Sequence, residues 1–135
     1  MVKKTSRKIV EKSKATSFRK VAENFYEGDK VAYDFEYFNA SGVLIVHAAI
    51  AFADAVTIEL SGWKCSGENH YEIISLLTDI TPPNKYKNNA INHFRKIIGH
   101  KNLISYSGDE YHKKDIDKLW KHLERFIIWI NTILD

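Results

Sequence analysis

With a single cysteine, Cys65, the chain can form no internal disulfide and cannot assemble a cysteine-based zinc site. That usage fits a reducing compartment. Cys65 itself reads as a small, half-buried residue in a loop. Only two prolines occur, side by side at Pro82 and Pro83, so the chain has one firm break and is elsewhere free to be helical. No Glu-x-x-His pair is present, which excludes the carboxylate and imidazole set of a di-iron bundle. A phosphate-cradling glycine loop, a nucleophile elbow and a Walker lysine are missing as well. Of the six histidines, His93 and His100 come nearest to a helical pair, on a stripe with Asn89 and Lys96 that reads as facing solvent. No metal site and no cofactor is expected from them. No segment alternates with period two for long enough to suggest a strand.

Lys, Arg and Glu are absent from Val43 to Val56, within the stretch GVLIVHAAIAFADAVTIELS at 42–61. Over that interval the only strongly polar side chains are His47 and Asp54, and five alanines allow neighbouring backbones to approach on more than one side. A helix apolar on nearly every face is either a core helix or a membrane span. A span takes about 20 uninterrupted apolar residues, and this run is shorter and carries a His and an Asp in its middle. It is expected to be the buried central helix, with no membrane partner. A chain of 135 residues, 44% hydrophobic and 27% charged, is the size of one domain around one core.

The net charge of +3 is unevenly spread: eight basic residues against Glu11 alone put +7 on residues 1–20, which leaves −4 on the remainder. Residues 1–14 read as a flexible basic arm, either a contact for nucleic-acid phosphates or a solvated terminus, and 15–135 as the folded domain. Lys and Arg interrupt the arm throughout, so it lacks the apolar segment of a signal peptide and a cytoplasmic location is expected.

The remaining pattern is helical. Phe18, Val21, Ala22, Phe25, Tyr26, Val31, Ala32, Phe35 and Phe38 recur at intervals of three and four and predict a first helix over 15–38, with a bend possible at Gly28. A turn at 39–42 follows, with Ser41 or Asn39 as the N-cap of the central helix. GENHYEIISLL predicts a short third helix with Glu68 at its positive end. After the break at 81–84, a fourth helix is expected over 87–104 and a last one over 113–134, whose outer face carries Lys114, Lys118, Lys121 and Arg125. The expected fold is all-α, an up-and-down bundle of four long helices plus one short helix.

The segment AINHFRKIIGHKNLISYSGDEYHKKDIDKLW, residues 90–120, resembles the HEPN superfamily, helical-bundle proteins of prokaryotic toxin–antitoxin and defence systems. The resemblance extends over most of 40–131 through AIAFADA, GENHYEIISLL with His70 at a helix start, KNLISYSG and ERFIIWI. Family members carry an Arg, often followed by Asn, and then a His four to six residues on. Arg95 and His100 satisfy that spacing literally. By context, Lys101, Asn102 and Tyr106 stand where the family has Arg, Asn and His.

The phase of the fourth helix favours the second frame. Lys101 shares a side with the apolar Phe94 and Ile97, whereas Arg95 shares a polar face with Asn88, Asn92 and Asn102. As the resemblance implies, the family His assists attack of the RNA 2′-OH on the neighbouring phosphate, and the Arg holds that phosphate. A Tyr, with a pKa near about 10, is a poor proton carrier at neutral pH, and Lys lacks the two-pronged geometry of Arg. An RNA-associated protein with weak or lost ribonuclease activity is therefore expected. One alternative is an active metal-independent endoribonuclease using Arg95 and His100. Another is a non-catalytic bundle that partners a second protein, such as a nucleotidyltransferase. The resemblance also implies a homodimer. His47 and Asp54, seven apart on the central helix, are either a polar pocket facing Lys101 or satisfied core groups.

Overall fold

The computed structural model describes residues 7–66 and 69–135. Their order is β1 (Arg7–Ile9), α1 (Lys14–Asp34), α2 (Phe38–Ser61), β2 (Trp63–Cys65), α3 (Tyr71–Ile80), α4 (Lys87–Ile98), α5 (Lys101–Tyr106) and α6 (Lys113–Leu134). The all-α expectation holds, apart from a three-residue antiparallel ladder. Three helices are long; the expected helix over 87–104 is two, parted at Gly99. The expected position of Glu68 lies outside the described residues.

The ladder corrects the reading of the arm and of Cys65. Arg7 pairs with Cys65, Lys8 with Lys64 and Ile9 with Trp63, and the Val10 N–H donates to the Gly62 carbonyl at 2.8 Å. From Arg7 onward the arm is therefore tied down, and Cys65 lies in a strand with 5% of its surface exposed. Two runs of three residues are too short to show as alternation, which is why periodicity does not reveal them.

The central helix is where the sequence places it but begins four residues earlier, and at 24 residues, with a mean hydropathy of 1.9 over its most apolar 18, it has the length and composition of a span. Burial makes the difference, since 67% of its most apolar window is covered. It packs against α1, α3, α4, α5, α6 and β2. Trp129, Phe94 and Phe126 are the largest fully buried side chains, the last two stacked at 4.8 Å. Each such burial is worth about 1.5–3 kcal/mol.

The turn between α1 and α2 lies at 35–37, not at 39–42. Glu36 adopts a left-handed φ of 63°. Its N–H donates to the Tyr33 carbonyl and that of Tyr37 to the Ala32 carbonyl, both at 2.9 Å, which makes a Schellman ending with Glu where glycine is usual. Glu36→Gly is expected to stabilise the fold by about 1 kcal/mol, read as a higher urea midpoint at unchanged slope. Neither Asn39 nor Ser41 caps α2. The Asn39 amide donates to the carbonyls of Ile104 (3.2 Å) and Asp109 (2.9 Å), and its oxygen accepts from the Tyr111 N–H (2.8 Å), so it clamps α5 and the following loop to the first turn of α2. Ser41 is buried and donates to Asp29 of α1. At the start of α6, His112 and Asp115 close a capping box, with the His112 N–H on the Asp115 carboxylate at 2.9 Å.

Candidate functional site

Gly99 ends α4, and the chain restarts as α5 at Lys101, which turns the first residues of α5 toward the segment before α3. Lys101 and Asn102 thereby line a pocket of about 160 Å³ with His70, Tyr71 and Gly99. His47 of α2 lies beside them: its pKa is lowered by partial burial and by the charge of Lys101. His70 is lowered in the same way, first by burial, then by Lys101, His47 and Lys64. Both imidazoles are thus held neutral at neutral pH next to a fixed cation.

One turn pair further along α2, Asp54 is 5% exposed, with Lys64 of β2 at 3.9 Å from one carboxylate oxygen and no hydrogen-bond partner on the other. Burial raises its pKa to about 7 against the opposing effect of Lys64. Lys64 also donates to the Cys65 carbonyl at 3.2 Å and lies 6.0 Å from the centre of the Phe18 ring. Phe25, seven residues beyond Phe18 on α1, sits 5.7 Å ring to ring from His47. The two antiparallel helices therefore match Phe25 with His47 and Phe18 with the Asp54 level. Lys64 and His47 thus lie against the aromatic side of α1, while His70 and Lys101 line the pocket next to His47.

The two frames of the sequence motif fare differently. Lys101 and Asn102 reach the pocket, but Tyr106, at the end of α5, is 80% exposed and does not line it. Five residues on one helix are about 140° apart, and α5 continues to Tyr106 without the loop that would turn its side chain back. Arg95 is exposed on α4, and among the described residues no hydrogen bond joins it to His100. His100 is engaged elsewhere, with Nδ1 2.7 Å from the Tyr111 hydroxyl, and burial lowers its pKa while Asp115 opposes.

On the α4 stripe Asn89 and Lys96 are exposed as the sequence suggests, but the two histidines are half-buried. His93 Nδ1 lies 2.8 Å from His122 Nδ1 of α6, so one ring donates and the other accepts; burial, then Arg125 and Lys96, lower the His93 pKa, and burial, then His93, lower that of His122. His122 and Tyr111 were not legible as site-forming residues, because each meets its partner across a helix interface. Lys64 was missed with the strand that carries it. Phe18 and Phe25 did carry a signal, their spacing of seven, which alone reads only as core. Comparison with protein-family models, with characterised proteins and with solved structures returns no match.

Proposed function

We propose that the protein is an RNA-associated, HEPN-like helical bundle of a prokaryotic toxin–antitoxin or defence module. It acts in the cytoplasm and holds single-stranded RNA at Lys64 and Lys101 without cleaving it through Lys101 and Tyr106. One observation carries this reading. Cations from β2 and α5, with His70 near both, lie beside Phe18 and Phe25 of α1: Lys64 is 6.0 Å from the Phe18 ring, and His47, next to Lys101, is 5.7 Å from that of Phe25. A charged track with aromatic side chains beside it is what single strands require, since phosphates need the first and bases stack on the second. The exposed Tyr106 supports loss of cleavage through the motif, because the residue in the place of the family His does not reach Lys101.

The test is anisotropy of a labelled single-stranded RNA over a salt series. Lys64→Ala and Lys101→Ala are each expected to lower affinity and to reduce the slope of log K against log salt by about 0.7, one phosphate contact on a single strand. Phe25→Ala should lower affinity and leave the slope unchanged. Equal affinity and slope for both lysine variants would overturn the reading. Incubation with total RNA in EDTA is expected to leave the RNA intact, and cleavage abolished by His100→Ala would replace this proposal with the Arg95 and His100 ribonuclease.

A further inference from the structure

Helices α1 and α6 both pack on α2 and run antiparallel past one another, tied at two levels. At one, the Tyr33 hydroxyl donates to the Asp117 carboxylate at 2.7 Å. At the other, Arg19 donates to the Asn131 amide oxygen at 3.1 Å and pairs with Asp135 at 2.8 Å. Between the two ties the helices leave a cleft of about 450 Å³, the size of a small-molecule site and larger than the pocket of Lys101. Phe52 of α2 is its floor, and Ile127 and Ile128 of α6 line one wall. In the register set by the two ties, Tyr26 is level with Glu124 and Glu23 with Ile127.

The charges around the cleft say what it takes. Glu23 and Glu27 of α1 and Glu124 of α6 border it, and Arg19, the cation among its lining residues, is already held at the far end. Glu27 is paired with Lys30, whose Nζ lies 3.2 Å from the carboxylate and 4.4 Å from the centre of the Tyr26 ring. An ammonium on an aliphatic stem is thus already seated against Tyr26 and a glutamate at the edge of this cleft. Glu23 and Glu124 have no ion-pair partner among the described residues, which leaves the same chemistry open to a second ammonium. Beside that position Phe52 and Ile127, with Ile128 at the rim, offer apolar surface that an alkyl chain covers and a metal ion does not.

We propose that the cleft between α1 and α6 binds a primary aliphatic monoamine, its ammonium between Glu23 and Glu124 beside Tyr26 and its chain along Phe52 and Ile127 toward Asn131. The ammonium donates charge-assisted hydrogen bonds to the two carboxylates. The chain adds affinity for each methylene it buries. A second ammonium at the far end would come up against Arg19, so a diamine of equal length fits worse. The cleft shares no lining residue with the pocket of Lys101 and His70, so amine binding stands apart from RNA binding.

Calorimetric titration of the full chain with butylamine, hexylamine and hexamethylenediamine, in the absence of RNA, tests this. Hexylamine, longer by two methylenes, is expected to bind about tenfold more tightly than butylamine, and more tightly than the diamine. Glu23→Gln and Glu124→Gln should each weaken hexylamine about fivefold and leave the melting curve unchanged, since both side chains are exposed. Ile128→Ser, at a residue 55% exposed, should narrow the gap between the two monoamines. Magnesium at about 5 mM should not displace hexylamine, because it holds its own water and covers no apolar surface. No binding at about 20 mM amine, equal affinity for the two monoamines, or indifference to both glutamine variants overturns the proposal. Preference for the diamine, or displacement by magnesium, would mark a plain acidic surface and overturns it as well.

Discussion

Asp54→Asn is expected to make the protein more stable at pH 8 and to leave it nearly unchanged at pH 4. In the folded chain the Asp54 carboxyl is raised to about 7 by burial, from 3.8 when unfolded. The folded state therefore binds more protons than the unfolded state between these values, and stability falls as pH rises through that window. At about 1.4 kcal/mol per unit the full penalty is on the order of 4 kcal/mol above pH 7. Lys64, 3.9 Å away, already moderates it. An amide avoids the charge but still needs partners, so a gain of about 2–3 kcal/mol at pH 8 is expected.

The five histidines whose pKa values are lowered act in the opposite sense. They bind fewer protons when folded, so they cost stability as pH drops below their unfolded value of 6.5. That contribution is common to both proteins and cancels in the difference. Urea unfolding of the two at pH 4, 6 and 8 decides the matter: a difference that does not grow with pH would show that the buried carboxyl is stabilised by something other than its proton.

Gly42→Ala is expected to destabilise the fold by about 1–2 kcal/mol and to weaken RNA binding, although residue 42 is buried and does not line the Lys101 pocket. A Cβ there would overlap the δ-methyl of Ile104 and come within 3.1 Å of that of Ile116. Overpacking of a core costs about 1–3 kcal/mol, against which alanine recovers up to about 1 kcal/mol of helix propensity. Ile104 is the buried residue of α5, the helix that presents Lys101 and Asn102. Pushing Ile104 outward shifts both polar residues, so stability and affinity should fall together. Ile104→Val on the Gly42→Ala background removes the overlapping methyl and should recover part of both losses. Recovery of neither would mean that α5 is positioned mainly by the Asn39 clamp.

How much of this was legible beforehand follows from the range of each interaction. The central helix and α6 stand out because dozens of residues repeat one pattern, and a long pattern survives local exceptions. Their ends are less visible: Glu36 takes a left-handed conformation that glycine normally signals, and Gly99 divides a helix that periodicity treats as continuous. The site was half legible. His70 and Lys101 share a pocket with His47 beside it, whereas Asp54 is buried next to Lys64, two turns further along α2. Tyr106 does not join them, because its orientation depends on where α5 ends rather than on the spacing of a motif. Lys64 and the Phe18 and Phe25 pair depend on a strand and a helix contact that no local pattern encodes.

The ladder between Arg7–Ile9 and Trp63–Cys65 has a temporal consequence. Its two strands are separated in sequence by the whole of α1 and α2 and share only three paired positions. Closing so long a loop for so few contacts is unfavourable until the two helices have docked and brought the ends together. The ladder therefore forms last and opens first. Cys65, sealed beneath it with a thiol pKa raised to about 11 mainly by burial, becomes reactive only when that edge parts. Labelling of the single cysteine is thus expected to report the parting of Arg7–Ile9 from Trp63–Cys65 rather than the opening of the helical core.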